Sequence, residues 1–251
     1  MCPDCQQTKL DPMLATLATA GAAATLVAGG YTYAAMWPTS QIFGRAVIGG
    51  PDPQEFALTY DDGPNDPYTQ HLLDVLATHN VRATFFLIGR FVRQRPDIAR
   101  TIHAAGHLVG NHTMTHPVLL FQSPKRVQEE LAGCNAAIED ALGEPVRYFR
   151  PPHGARRPDV LRAARDLGLT PVLWNAMGYD WRPTTPETIL ANLQKGIRRN
   201  QGRRAGSNLL LHDGGQAGIG QDRSQSVLAT ARLLENTKQQ IRYVTVDAWK
   251  A

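Results

Sequence analysis

The chain has 251 residues, 43% hydrophobic and 19% charged, with a formal net charge of +4 and an isoelectric point near 9.1. This balance excludes a disordered chain and a polytopic membrane protein, and the length suits one α/β domain of barrel size behind a short leader. The basic residues gather in short runs, Arg156-Arg157, Arg198-Arg199 and Arg203-Arg204, with no interleaved aromatics, so they read as solvated helix ends or loops and no nucleic-acid partner is expected.

Residues 1–12 form a tail containing Cys2 and Cys5, spaced like half a zinc knuckle but with no second Cys/His pair at the distance a closed site needs. The third cysteine, Cys134, falls in a helix-like segment as a small buried side chain. No charge occurs between Asp11 and Arg45, and the Leu, Ala, Val, Gly and Thr run from Met13 to Met36 is long enough to cross a bilayer core of roughly 30 Å. Residues 13–37 are therefore expected to be a signal anchor or signal-peptide-like helix. Membrane association would run through residues 13–36, leaving the folded domain anchored or exported on the extracytoplasmic side. Ala-rich patches also offer a cleavage site, and a buried N-terminal helix packed on the domain is the alternative.

A Pro/Gly-bearing connector, 38–54, leads into the main domain, 55–251. There strands are expected at 56–60, 81–88, 107–110, 146–149, 171–174, 208–211 and 242–246. Helices are expected at 68–79, 91–105, 124–142, 158–167, 186–199 and 223–240. Strict alternation implies parallel strands with helices outside, and seven strands without a dinucleotide fingerprint favour a barrel, whose chemistry collects at the carboxyl ends of the strands.

Five polar clusters sit at such ends: Thr59–Pro64 (TYDDGP), Asn111–His116 (NHTMTH), Arg150–Gly154 (RPPHG), Tyr179–Trp181 (YDW) and Leu210–Asp213 (LLHD). His112 and His116, four apart, point the same way on a helical turn and can bind one metal; a carboxylate from another strand end would complete His₂Asp with open positions. Asp61 and Asp62 can be re-aimed together by the Gly63-Pro64 break, or else merely cap a turn. Of two carboxylates beside a cation, one ligates and the other takes a proton from a water whose pKa the cation lowers to about 7. Arg150 is expected to hold the free carboxylate by a bidentate contact. His212 suits a general acid oriented by Asp180, with Trp181 and Leu210 forming a small apolar wall. His71, His79 and His103 lack such company and read as surface residues.

In this order the clusters closely resemble the motifs of the NodB-homology polysaccharide deacetylases, carbohydrate esterase family four, over about residues 56–246. The resemblance implies a distorted (β/α)7 barrel preceded by the N-terminal hydrophobic helix. It implies a hydrolase that removes N-acetyl groups from an N-acetylglucosamine-containing glycan, peptidoglycan or chitin-like. Asp61 would be the base with Arg150 as its partner, and His212 the acid with Asp180. Asp62, His112 and His116 would ligate a divalent metal, Zn2+ foremost with Co2+ or Ni2+ as alternatives. Tyr60, Pro152, His153, Trp181 and Leu210 would contact the acetylated glycan. Departures are Tyr60 where Phe is frequent, His153 where an aromatic stands, and Asn175-Ala-Met where another Asp is common. Alternatives are an O-acetyl, xylan-type esterase, an inactive glycan-binding barrel, and a basic surface protein that binds anionic polymers.

Overall fold

The computed structural model describes residues 25–237 and 240–250. Eight strands, all paired in parallel, form one curled sheet in the order β5-β4-β3-β2-β1-β7-β6, with β8 beside the start of β1. In chain order the elements are α1 (25–36), β1 (Glu55–Gly63), α2 (Tyr68–Thr78), β2 (Thr84–Leu87), α3 (Gly89–Gln94), α4 (Pro96–Ala104), β3 (Leu108–Asn111) and α5 (Pro124–Leu142). Then come β4 (Tyr148–Phe149), α6 (Pro158–Asp166), β5 (Thr170–Pro171), β6 (Ala176–Met177), α7 (Pro186–Gly202), β7 (Ser207–His212), α8 (Ser224–Glu235) and β8 (Arg242–Tyr243).

Side-chain alternation divides the sheet into two faces. Phe56, Leu58, Tyr60, Phe85, Leu87, Leu209 and Leu211 pack outward in the large core with Leu72, Leu76, Leu131, Ile189, Leu193 and Leu233 of the helices. Ala57, Phe86 and Leu210 turn to the concave inside, where they meet Val47, Val172, Leu173, Trp174 and Trp249 in smaller clusters. The parity of β1 therefore places Asp61 on the inner face and Tyr60 on the outer. Tyr60 is fully buried, stacks on Phe85 and shares a hydrogen bond with Thr230 of α8, so it is a core residue and not the expected glycan contact.

The sheet is a curl with a seam. Its edge strands β5 and β6 do not pair with each other. The gap is filled by residues expected to be a mere connector: Val47 forms a parallel bridge with Val172, and the N–H of Gly206 donates to Gly50 O at 2.8 Å. The two-residue β6 was not expected, and the expected helix 91–105 is two helices because Pro96 opens a new one after Arg95. By contrast α5 has its expected bounds: Ser123 caps Arg126 N–H, Pro124 starts the helix, and Gly143 at φ 73° ends it in the left-handed region that Gly favours.

Of the hydrophobic N-terminal run, residues 13–24 lie outside the described residues, as do Cys2 and Cys5. Among the described residues no helix is long and apolar enough to cross a membrane. α1 presents Leu26 and Val27 to solvent and buries Ala34 and Ala35. The following segment is fixed to the domain by Arg156, itself buried. Its guanidinium donates to Trp37 O at 2.8 Å, Ser40 O at 2.7 Å and Gly154 O at 2.9 Å, while its N–H donates to Ala35 O at 3.0 Å.

Candidate active site

Asp61 and Asp62 end β1 between β2 and β7, and neighbours on a regular strand would face opposite ways. The register with β2 slips between Asp61 and Gly63, and Asp62 has φ 74°. This bulge turns the second carboxylate to the side of the first, so the strand itself re-aims it before the Gly63-Pro64 break expected to do so. Gly63 and Gly214 let the loops after β1 and β7 touch, since a Cβ on Gly63 would lie 2.2 Å from the Asp213 carboxylate and one on Gly214 2.2 Å from Asp62 O.

His112 and His116 follow β3 on a loop, not on the expected helical turn. Thr113 (φ 68°) and His116 (φ 63°) fold it back. Asn111 Oδ1 accepts from Thr113 N–H at 2.7 Å, Thr113 Oγ1 accepts from His116 N–H at 3.0 Å, and the Glu130 carboxylate of α5 accepts from Thr115 N–H and hydroxyl. Each imidazole engages Nδ1 with an oxygen, His112 with Arg150 O at 2.7 Å and His116 with Gln216 Oε1 at 2.8 Å. A ring that donates Nδ1–H presents a bare Nε2, the form that ligates metal.

Both Nε2 atoms face Asp62 Oδ1, at 3.4 Å for His112 and 3.1 Å for His116, and ligand atoms of the three buried residues lie within 4.8 Å of one another. Asp62 Oδ1 is buried without a hydrogen-bond partner. An orphaned carboxylate oxygen opposite two bare imidazole nitrogens fits one divalent cation in a His₂Asp set. The electrostatics agree. Burial opposes ionisation of Asp62, yet contacts with the His112 and His116 rings and the charges of His116 and His212 hold it well below the usual carboxylate range. Burial would lower His116, but Asp62 raises it above an ordinary histidine. The pocket calls for positive charge at this point.

Asp61 stands beside this set, with Oδ2 3.7 Å from His112 Nε2. Arg150 from the end of β4 is fully buried over the Phe86 ring, and its Nη1 donates to Asp61 Oδ1 and to Thr59 Oγ1, both at 2.8 Å. The contact with Asp61 is single, not the bidentate pair expected, because Nη2 points to Leu173 O and Asn208 Oδ1 at 3.3 Å. Asp61 Oδ2 is thereby left to the cavity.

Across the cavity, at the ends of β6 and β7, His212 Nδ1 meets Asp180 Oδ1 at 2.8 Å. Asp180 Oδ2 accepts from His212 N–H and from the Ser226 hydroxyl, each at 2.7 Å. Burial alone would lower the His212 pKa, but the Asp180 charge and hydrogen bond push it up to about 9. Trp181, partly exposed, packs its ring 5.4 Å from that of His212.

One cavity of about 560 Å³, in the range of small-molecule sites, is lined by Asp61, Asp62, His112, His116 and His212 and walled by His153, Trp181 and Leu210. Pro152 is buried in the turn that carries His153 at φ 59°. Asn208, Gln216 and Ser226 were not singled out from the sequence, and Thr59, which opens the first cluster, was given no role. Nor was Asp213 given a role: it is buried, accepts from Thr69 Oγ1 at 2.5 Å, and is pushed up by burial to about 7. Of these, Thr59 and Asp213 carried a signal, standing inside the first and last clusters.

Residues 49–172 match the polysaccharide deacetylase family model. The chain is 41% identical to a chitooligosaccharide deacetylase of Sinorhizobium fredii over 158 residues, 62% of this chain and 71% of the relative. It is 35% identical to a peptidoglycan-N-acetylglucosamine deacetylase of Bacillus cereus over 194 residues, 76% of this chain and 85% of the relative. Among solved structures it resembles a carbohydrate esterase family four pseudoenzyme of Bacillus anthracis, with TM-score 0.69 and 27% identity over 81% of this chain and 68% of that one.

Proposed function

This chain belongs to the polysaccharide deacetylase family, and we propose that it is a metal-dependent hydrolase that removes N-acetyl groups from an N-acetylglucosamine-containing glycan, chitin-like or peptidoglycan. Likeness to an inactive relative as well as to deacetylases makes the residue inventory decisive. One observation carries the reading: Asp61 backed by Arg150, the Asp62/His112/His116 set, and His212 on Asp180 all face one cavity.

A divalent cation held by Asp62, His112 and His116, zinc foremost with cobalt and nickel as alternatives, supplies Lewis acidity toward an acetyl carbonyl and lowers the pKa of a nearby water. Asp61 Oδ2 accepts that water's proton as the water oxygen bonds to the acetyl carbonyl carbon, while Arg150 holds Oδ1. His212, with Nδ1 fixed by Asp180, turns Nε2 toward the cleft and donates a proton to the sugar nitrogen, so that the amine departs and acetate remains. Protonation up to about pH 9 suits this acid, since an amine leaves poorly as an anion. Leu210 and Trp181 offer the acetyl methyl an apolar wall.

The test is acetate release from chitooligosaccharides, peptidoglycan and acetylated xylan, with metal content measured on the same preparation. Release from the first two supports the proposal; release from xylan alone would convert it to O-deacetylation, and none from any metal-loaded sample sinks it. We further propose that residues 13–36 tether or export the domain to the extracytoplasmic side, the exposed apolar Leu26 and Val27 being consistent with a lipid-facing helix. Recovery of the full chain from the cytoplasmic fraction would count against that.

A further inference from the structure

Two exposed aromatic pairs flank the reaction cavity. On the side of the acid, Trp181 lies against His212, with Tyr179 5.4 Å from it. The other pair belongs to none of the five sequence clusters. Trp37, 54% exposed, stacks on Tyr33, 47% exposed, with ring centroids 6.0 Å apart and planes 21° from parallel. Trp37 lines the same cavity as Asp62, His116 and His153, together with Met36 and Pro38.

Its position is held by buried chemistry. Arg156 binds the carbonyls of Trp37 and Ser40 on one side and that of Gly154 on the other. Gly154 adjoins His153, whose ring is 4.8 Å from that of His116. A buried guanidinium that reaches four carbonyls, the last Ala35 O at 3.5 Å, is costly to desolvate and would be an odd means of securing a passive leader. It sets the Trp37 segment in register with the turn at the metal-ligating flank.

We infer that Trp37, with Tyr33 stacked beside it, is the platform of a glycan subsite that holds a sugar ring neighbouring the one deacetylated, on the His153 flank. Pyranose rings present apolar C–H faces that lie flat on exposed aromatic rings, and a neutral N-acetylated sugar offers little charge to grip instead. With Trp181 on the opposite flank, the scissile amide sits between two such platforms, and the preferred substrate is an oligomer. This rests on the deacetylase reading. Aromatic residues after an apolar helix also suit a lipid–water interface. Trp37 lines the catalytic cavity, however, which favours a sugar as its occupant.

The test uses the full chain and its Trp37→Ala and Trp37→Phe variants. Calorimetric titration of metal-chelated protein with chitopentaose and N-acetylglucosamine measures binding without turnover. Metal-loaded protein is then assayed on chitopentaose and on 4-nitrophenyl acetate, and partition onto phosphatidylglycerol vesicles is measured alongside. Expected are about tenfold weaker chitopentaose binding by Trp37→Ala, corresponding to ~1.4 kcal/mol, and a similar rise in KM with little change in kcat. N-acetylglucosamine binding and ester hydrolysis stay level, and Trp37→Phe retains most of the affinity. Unchanged chitopentaose affinity, an equal loss on the ester, or a loss of vesicle partition alone would each overturn the subsite. Wild-type protein that binds chitopentaose yet releases no acetate would sink the deacetylase reading and leave the subsite standing. Wild-type protein that deacetylates while Trp37→Ala matches it would do the reverse.

Discussion

The cavity has two halves, built by different means. The Asp62/His112/His116 half is shaped by backbone held at positive φ, at Asp62, Thr113, His116 and, in the adjoining turn, His153. It ends in a buried oxygen without a hydrogen-bond partner. In the His212 half, His212 ends β7 while Asp180 lies in the turn after β6, just beyond Tyr179 at φ 58°, and both oxygens of Asp180 are engaged by protein donors, His212 and Ser226. The first half is organised around a charge the chain does not itself provide; in the second, the His212–Asp180 pair is satisfied by the chain's own donors. Positive-φ residues are thus concentrated where an outside cation is to be gripped, four against Tyr179 alone beside the acid pair, and of the carboxylates Asp62 and Asp180 it is Asp62 that keeps an oxygen open for it.

Breaking the first half should have the largest effect. Chelation, or Asp62→Ala, is expected to remove bound metal and reduce acetate release to background, with re-addition of zinc restoring only the chelated wild type; metal analysis beside the assay checks this. Asp61→Asn should leave metal content intact and lower kcat by about 10²- to 10⁴-fold, the range for a lost general base. Equal loss of metal and rate would show that Asp61 ligates as well.

The second half is tested by pH. The His212 pKa is raised, so its protonated form, and any stability from its pair with Asp180, is fully present below the ordinary histidine value and is lost as pH rises through about 9. Activity should fall on that alkaline side. A cation held at Asp62 offsets the nearby carboxylates and draws the limb somewhat lower. In Asp180→Asn the opposing effect of burial is no longer countered, so the limb should move to lower pH, with kcat reduced on the order of 10- to 100-fold. An unmoved limb would detach His212 from the acid role.

Smallest is the effect expected at the edge of the metal half. Gln216→Ala removes the partner of His116 Nδ1 and should weaken zinc affinity by about 10- to 100-fold, while kcat at saturating zinc changes little. Competition with a chromophoric chelator measures it.

What the sequence made legible follows the same division. Asp61, Asp62, His112, His116, Arg150, Asp180 and His212 stand at strand ends beside apolar runs, and all seven converge. Their aim was not legible. The bulge at Asp62 comes from pairing with strands distant in sequence, so the Gly63-Pro64 break seemed the agent. Nothing in the residues from Asn111 to His116 announces a loop with two left-handed residues in place of a helical turn. Tyr60 could have been placed by parity alone, since a residue next to Asp61 on a regular strand faces the other way. Strand β6, two residues long, is too short for periodicity, and the link from Gln216 to His116 spans a hundred positions.

The grip of Arg156 on the stretch before β1 also bears on where this protein can be cut. A version trimmed to begin at the first strand would strip that guanidinium of its acceptors at Ala35, Trp37 and Ser40. Hydrogen bonds to a charged group contribute on the order of 1.5–3 kcal/mol each, so losing this set removes a large part of a domain's margin against unfolding. A shortened form that aggregates would therefore signal a missing structural neighbour, and the lower bound for a well-behaved fragment lies before Ala35.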